Sequence, residues 1–375
     1  KLKSKKFNSF CATVLVFFFI KYFNLNYIRK KINNRKYLFF SAIATICDQM
    51  PLRDLNRDIV REGLNIFDAN IFFNLKKIFN PKRKISSSDI GYILGPILNS
   101  SSRLGYPDLV MKLLIENNRE AINKISEKLL NLNQRRKNLQ FETFAKINKN
   151  IKIHKNKVIF KFEKNINEGL LGVIAANFVD QYNKPSLIFT TSNGFIKCSA
   201  RSVHDFDIGK IFNLAYENKI ILKGGGHSMA AGCILNKDKI KLFENFLNDK
   251  YLKKFKSFPH VKYFTSEQNI DSLKIFAKKE LQLLEPFGTK NINPIFLIKK
   301  NKIVKYKIIN QRHLHLMIKN KFNKFCMCFV FDAVDTKLGH ILTNSKKEID
   351  LLVQINNKII NKSTDFNLII KDAIT

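Results

Sequence analysis

Apolar and polar positions along this chain change texture three times, and each texture predicts a different kind of element. Near the start, Phe10-Cys-Ala-Thr-Val-Leu-Val-Phe-Phe-Phe-Ile20 is apolar without a polar break, which predicts a buried helix over residues 8 to about 24. Phe39 to Ile46 is apolar again and runs into the turn Cys47-Asp48-Gln49-Met50-Pro51-Leu52. Asn56 to Phe67 has helical spacing, with Ile59, Val60, Leu64 and Phe67 on one face. Residues 80–90 are polar and basic, with Pro81 and three Ser, and read as a loop. From Pro107 to about Asn148 the chain is rich in Leu, Ile, Glu, Lys and Asn with no internal Gly or Pro. That predicts two helices or one long connecting rod, with a period too irregular for a sustained coiled coil.

Strands and helices then alternate. Residues 158–162, 186–190 and 195–202 read as strands, and residues 170–182, 208–218 and 237–255 as helices. This is the signature of an α/β unit. After Pro259 the pattern becomes one helix over residues 275–284, followed by short apolar strands with polar turns, as in a small β-barrel or sandwich.

Composition adds a bias toward polyanions. Lys and Arg number 66 against 30 Asp and Glu, a formal net charge of +36, and such an excess attracts nucleic acid at long range and in a salt-sensitive way. The surplus is mostly Lys, over-used together with Asn, Ile and Phe, which also fits a coding bias. The aromatic residues are 34 Phe and 10 Tyr with no Trp, ample for a packed core. The six Cys form no Cys-x-x-Cys pair and sit mainly in apolar runs, as free thiols in a reducing compartment do. They are a poor zinc set. The first apolar run is about half the roughly 20 residues that span a bilayer. It also lacks a small-residue cleavage site, so a cytoplasmic protein without a membrane partner is expected. The chain opens on Lys1, which suggests a fragment.

Three segments carry candidate chemistry. Gly224-Gly-Gly-His-Ser-Met-Ala-Ala-Gly232 offers positive φ and close backbone approach at Gly225 and Gly226, and His227 with its small followers would open a helix facing an anion. A purely structural glycine turn is the competing reading. In Lys197-Cys-Ser-Ala-Arg-Ser202, Ser199 and Arg201 lie two apart and share a strand face. A hydroxyl beside a guanidinium fork suits a terminal phosphate, and an ordinary surface Arg is an equal alternative. In Leu94-Gly-Pro-Ile-Leu-Asn-Ser-Ser-Ser-Arg-Leu-Gly105, a helix from Pro96 would put Asn99 and Arg103 on one face. Three consecutive Ser make a non-helical path equally plausible.

Together and in this order, these segments resemble the RecJ branch of the DHH phosphoesterase superfamily. The resemblance extends to Thr45-Ile-Cys-Asp-Gln-Met-Pro-Leu52 with Leu55-Asn-Arg57, similar to the family's fourth catalytic motif. It also takes in Glu168-Gly-Leu-Leu-Gly-Val-Ile-Ala-Ala176 at the start of a DHH-associated domain, and Leu284-Glu-Pro-Phe-Gly288 with Asn291, Pro294 and Phe296 at the entry to an oligonucleotide-binding barrel. It implies an α/β fold of four parts: the carboxy-terminal part of a DHH domain (1–106), a long connecting helix (107–150), an α/β DHH-associated domain (151–258) and a small OB-like barrel (259–375).

The implied activity is 5′-to-3′ exonuclease action on single-stranded DNA in repair and recombination, with two Mn²⁺ or Mg²⁺ ions. Asp48 matches a metal-ligating aspartate and His227 a position near the reaction centre. Arg103, Asn99, Ser199, Arg201, Gly225 and Gly226 match the 5′-phosphate and DNA contacts. The implied partners are single-stranded DNA, a single-strand-binding protein and a helicase, and a monomer is expected. Departures from the family are Ile97 for Arg, Ser102 for Gly, Asn167 for His, Cys198 for Gly and Lys290 for Gly. There is no Asp-His-His, and one aspartate does not hold two cations, so the chain by itself is expected to be inactive. Two other readings are a small-oligonucleotide or cyclic-dinucleotide phosphodiesterase, which would lack the barrel, and a non-catalytic single-strand-binding relative. An alanyl-tRNA-synthetase-like RNA-binding appendage would share only the glycine turn.

Overall fold

Packing divides the chain into two units in a computed structural model that describes residues 9–28, 35–68, 72–81, 84–149, 151, 157–254, 263–334, 336–345, 347–360 and 363–374. One unit joins Lys1–Gly95 to Lys262–Thr375, and the other is Pro96–Val261. Asn8, Lys82, Arg83, Phe255, Pro259 and Thr375, at the margins of predicted elements, lie outside the described residues.

The first stretch is helical: α1 (Ala12–Asn26), α2 (Arg35–Cys47), α3 (Asp54–Asn65) and the single turn α4 (Ser87–Asp89). Helix α1 forms where the apolar run predicts it, but it is not buried. Cys11 and Val14 pack with Ile59 of α3, whereas Val16, Phe19, Tyr22 and Leu25 are exposed. A helix apolar on every side needs cover on every side, and the described neighbours cover one flank. Helices α2 and α3 pack closely because Gly63 has no side chain. A Cβ there would lie 2.5 Å from Ala42 Cβ and 2.8 Å from the Leu38 carbonyl. The predicted loop at 80–90 ends sooner than expected, because Ser86 and Asp89 form a reciprocal capping box that starts α4.

The second unit begins with α5 (Gly95–Arg103), α6 (Leu109–Ile115) and α7 (Arg119–Lys149), so the long helical texture resolves as two helices, α6 and α7. Then follow β1 (Ile159–Phe162), α8 (Leu171–Tyr182), β2 (Ser186–Ser192), β3 (Phe195–Arg201), α9 (Ile208–Glu217), β4 (Lys223–His227), β5 (Ala230–Leu235) and α10 (Ile240–Lys254). The sheet order is β1-β2-β3-β5-β4, with β1 parallel to β2 and the pairs from β2 to β4 antiparallel. Side chains alternate in β3 and β5. Cys198, Ala200, Ala231 and Cys233 turn inward to a core with Phe212 of α9 and Phe243 of α10. On the opposite face Ile188 packs with Ile174 and Phe178 of α8.

The glycine segment departs from the sequence reading. Gly224–Gly226 form part of strand β4 and Ala230–Gly232 begin strand β5, so the run is a hairpin and no helix opens at His227. None of the three glycines has positive φ; among the described glycines only Gly105 and Gly194 do. Their use is space. A Cβ at Gly224 would stand 2.9 Å from Cys233 Cβ, and one at Gly226 2.5 Å from Ala231 Cα. Local spacing reads the same for a turn and for a tightly paired strand, and the pairing with β5 decides between them.

The remaining stretch contains β6 (Ser266–Glu267), α11 (Ile270–Lys279), α12 (Leu281–Leu284), β7 (Phe296–Ile309), β8 (His313–Asn320), β9 (Phe325–Val330), α13 (Lys337–Asn344), β10 (Ile349–Ile360) and β11 (Ser363–Ile374). Strands pair in the order β7-β8-β9-β11-β10, and β10 returns to β7, which closes a five-stranded barrel. Leu316, Cys328, Leu351 and Leu368 fill it, with Leu273 of α11 and Leu342 of α13 in the same core. Three strands are longer than the short runs expected, because β7, β10 and β11 carry polar residues midway and their pairing resumes past a β-bulge between Ile303 and Lys305 and another between Leu352 and Val353. The apolar pattern gives no sign of helix α13.

Candidate functional site

In the second unit, β3 and the start of α8 bring together three of the six predicted anion ligands, Ser199, Arg201 and Arg103. Ser199 and Arg201 lie on the face of β3 that meets α8. Gly172 of α8 is the residue they pack on: a Cβ there would stand 2.7 Å from Arg201 Nη2 and 3.1 Å from Ser199 Oγ. The Arg201 guanidinium donates to the Ala200 carbonyl at 2.9 Å and approaches Ser199 Oγ at 3.4 Å. Arg103, at the end of α5, donates from Nη1 to the Gly169 carbonyl at 2.8 Å, and a Cβ on Gly169 would fall 2.7 Å from Arg103 Cα. Burial lowers the Arg103 pKa, and burial followed by the charge of Arg103 lowers that of Arg201. Two half-buried guanidinium groups thus lie against backbone carbonyl oxygens near the start of α8, a chemistry that suits an anion.

The segment around Asn99 is helical despite its serines. The hydroxyls of Ser100, Ser101 and Ser102 bond back to the carbonyls of Ile97, Leu98 and Asn99, which satisfies them inside the helix. Asn99 lies one turn before Arg103, so the pair shares a helix face, with Arg103 alone engaged at the α8 turn.

Strand register places the hairpin residues in the same frame. Arg201 pairs with Ala230, which pairs with His227, and Ser199 pairs with Gly232, which pairs with Gly225. His227 and Gly225 therefore point to the face that carries Arg201 and Ser199, about 10 Å away across two strand spacings. A Cβ at Gly225 would meet nothing within 4 Å, and one at Gly232 only the Cys198 carbonyl at 3.4 Å. The sheet surface beside Ser199 is thus an open, side-chain-free trough. Gly226 faces the opposite, packed side. His227 is exposed and accepts a long hydrogen bond from the Met229 amide at 3.4 Å.

In the first unit, Asp48 is exposed in the turn after α2, its amide bonded to the Ala44 carbonyl at 2.9 Å. Beside it the Cys47 thiol is pushed up to about 11 by burial and by the Asp48 charge. Gly95 seats this turn, since a Cβ there would be 2.7 Å from Cys47 Sγ. Among the described residues no group of three His, Cys, Asp or Glu could hold a metal ion, so they do not by themselves make a two-cation site. No described helix is long and apolar enough to cross a membrane.

The barrel of the first unit has an outward face of its own. His315 of β8 stacks on Phe329 of β9 with ring centroids 4.3 Å apart and planes 10° apart. Met317 pairs with Met327, and Lys305 and Lys307 of β7 border them. Flat half-buried rings edged by cations suit stacked bases and a phosphate backbone.

Comparison with known proteins agrees with this layout. Residues 155–253 match the DHHA1 domain and residues 266–372 the RecJ OB domain. The single-stranded-DNA-specific exonuclease RecJ of Haemophilus influenzae is 30% identical over 224 residues, 55% of this chain and 38% of that protein. Its counterpart in Bacillus subtilis is 26% identical over 90% of this chain and 44% of that protein.

The chain belongs to the RecJ-type DHH proteins. RecJ of Thermus thermophilus, solved in complex with Mn²⁺, shares its fold with a TM-score of 0.74 at 20% identity, over 91% of this chain and 50% of that one. The same protein has been solved with Mg²⁺. The chain spans about half the length of these relatives, or less. Departures from the RecJ pattern have local explanations. Lys290, in place of Gly, has a φ of 65°, the left-handed region where glycine is free of strain. Asn167, in place of His, accepts from the Gly169 amide at 3.0 Å, and Ile97 and Cys198 are buried.

Sequence reasoning missed Arg136 of α7. Its Nη1 donates to Gln140 Oε1 at 2.9 Å, and its Nε and Nη2 to Asn133 Oδ1 at 3.3 and 3.0 Å. Burial and then the charge of Arg103 lower its pKa. The signal in the sequence was an Arg four residues before Gln140 and three after Asn133, a pattern that helical spacing brings to one face.

Proposed function

We propose that this chain is part of a metal-dependent exonuclease that removes nucleotides from single-stranded DNA in the 5′-to-3′ direction, in DNA repair and recombination. Residues 1–106 act as the end of the catalytic domain, 107–150 as the connecting helix, 151–258 as the phosphate-gripping DHH-associated domain and 259–375 as the strand-binding barrel. The observation that carries the reading is the pairing of Arg201 and Arg103 at the start of α8, with Ser199 beside them and no described carboxylate in ion-pair contact with either. Glu168, the acid nearest in sequence to Gly169, is taken by Lys197 at 2.6 Å.

In this reading the two guanidinium groups and the Ser199 hydroxyl clasp the terminal 5′ phosphate, which sets direction. The trough over Gly225 and Gly232 admits the following sugar and phosphate. Asn99 and the Gly226 backbone border the strand, and His227 lies toward the reacting bond. Mn²⁺ or Mg²⁺ would supply the activated water of such hydrolysis. Asp48 is one carboxylate for it, so the chain by itself binds strands without cutting them. The outward barrel face, with His315 and Phe329, holds downstream bases. Single-strand-binding protein and a helicase are the partners this activity implies, in a cytoplasmic monomer.

The test is end preference. Wild-type chain binds a 5′-phosphorylated single strand more tightly than the 5′-hydroxyl strand, and Arg201→Ala removes the difference. An Arg201→Ala chain that keeps the preference would refute the pocket. A second reading, a non-catalytic strand-binding protein, is favoured by the lack of a metal-holding group among the described residues. Release of mononucleotides by the natural gene product with Mn²⁺ would exclude it.

A further inference from the structure

Strand register sorts the open face of β3, β5 and β4 into three rows. Arg201, Ala230 and His227 make the first, Ser199, Gly232 and Gly225 the second, and Lys197, Ile234 and Lys223 the third. Neighbouring rows are two residues apart along the strands, about 7 Å. Two rows have occupants in the proposed function. Arg201 and Ser199 take the terminal 5′ phosphate, His227 lies toward the reacting bond, and the glycines leave room for the sugar. The third row has none.

That row has an apolar middle and two unlike ends. Ile234 is half-buried but belongs to neither apolar core of this unit, since it faces away from the side on which Cys233 and Leu235 pack. At the β3 end, Lys197 Nζ donates to Glu168 Oε2 at 2.6 Å, so an ion pair fixes that flank. At the β4 end Lys223 is exposed, and among the described residues no carboxylate pairs with it. Lys197 and Lys223 stand two strand spacings apart, about 10 Å. An apolar floor with an unclaimed ammonium at its edge suits a flat ring that carries acceptors on its rim, which is the chemistry of a nucleobase. The phosphate and the reacting bond occupy the Arg201–His227 side of the glycine row, so the base attached to that sugar turns to the other side, over Ile234. We infer that Ile234 and Lys223 form a subsite for the base of the 5′-terminal nucleotide, with Ile234 beneath the ring and Lys223 at its edge. Guanine presents a lysine with two neighbouring acceptors, O6 and N7, where thymine presents O4 alone, so a terminal guanine is held more tightly. The inference rests on the proposed terminal-phosphate pocket and adds a base contact to it.

Isothermal titration of the 375-residue chain in EDTA tests this with small ligands that share one sugar and one phosphate. They are deoxyribose 5-phosphate, thymidine 5′-monophosphate and deoxyguanosine 5′-monophosphate. Wild-type chain binds the guanine nucleotide about tenfold more tightly than the sugar phosphate, with the thymine nucleotide between them. Because that series uses unaltered protein, it does not depend on the folding of any variant. Equal affinity for all three would overturn the subsite. Lys223→Ala, at an exposed position, brings the guanine nucleotide down to the level of the thymine nucleotide and changes the sugar phosphate less than about twofold. An equal loss on all three ligands would mean that Lys223 serves the phosphate and not the base, which also overturns the inference. Arg201→Ala separates the two claims. If it leaves binding of the sugar phosphate intact, or if none of the three ligands binds wild-type chain, the terminal pocket itself fails.

Discussion

Gly172 decides how Arg201 and Ser199 stand. A methyl at that position meets the far end of a flexible guanidinium and a hydroxyl, not backbone, so the side chains would move and the helix would stay. Replacing a helical Gly by Ala also favours the helix by up to about 1 kcal/mol. Gly172→Ala is therefore expected to hold or raise the melting temperature while lowering the preference for a 5′ phosphate about tenfold, a split that calorimetry and strand-binding titrations would read together. Gly169→Ala should behave differently, because its Cβ would strike the Arg103 backbone. A loss of several kcal/mol, seen as a lower urea midpoint, is expected there. Cys47 gives a pH prediction. With its pKa at about 11, its thiolate fraction at pH 8 is about 100-fold below that of a thiol with a pKa of about 9, so alkylation at Cys47 stays slow in native protein and speeds up in urea. Because the native pKa is raised above the unfolded one, this residue costs no stability at pH 8 and lowers it as pH rises from about 9 toward about 11.

At the scale of elements, the β4–β5 hairpin assigns its glycines separate tasks. Gly226 faces packed backbone and Gly225 faces open space. Gly226→Ala is expected to destabilise the unit by about 1–3 kcal/mol, whereas Gly225→Ala should fold normally and weaken strand binding by placing a methyl in the trough. Equal effects on stability would remove the distinction between the two faces. The sequence marks these glycines as a special segment but reads as a turn before a helix. Gly, His, Ser, Met and Ala in a row carry no period, and only the β3–β5–β4 ladder reveals that successive residues alternate between core and trough. The α1 run teaches the converse. Its apolar content identifies a helix, yet content does not say how many sides have neighbours, and Val16, Phe19, Tyr22 and Leu25 remain exposed.

For the whole molecule, the net charge of +36 sets how binding responds to salt. If about five strand phosphates are neutralised, affinity for single-stranded DNA should fall about 100-fold between about 50 and 200 mM salt, with a log–log slope of about −3.5. A slope near zero in anisotropy titrations would show that the basic surface does not track the backbone. By itself the sequence determined most of the helix and strand inventory, the α/β class and the barrel at the end, and its likeness to a family pattern singled out Arg103, Ser199 and Arg201 as candidates. These follow from periodicity and from short ordered motifs, which are local properties of the chain. Tertiary structure alone decided that Gly169 and Gly172 make room for two arginines, and that His227 and Gly225 share the face of the sheet that carries Arg201 and Ser199. Each of those facts depends on residues distant in the chain being held within a few ångströms by packing, and no one-dimensional pattern encodes such a distance.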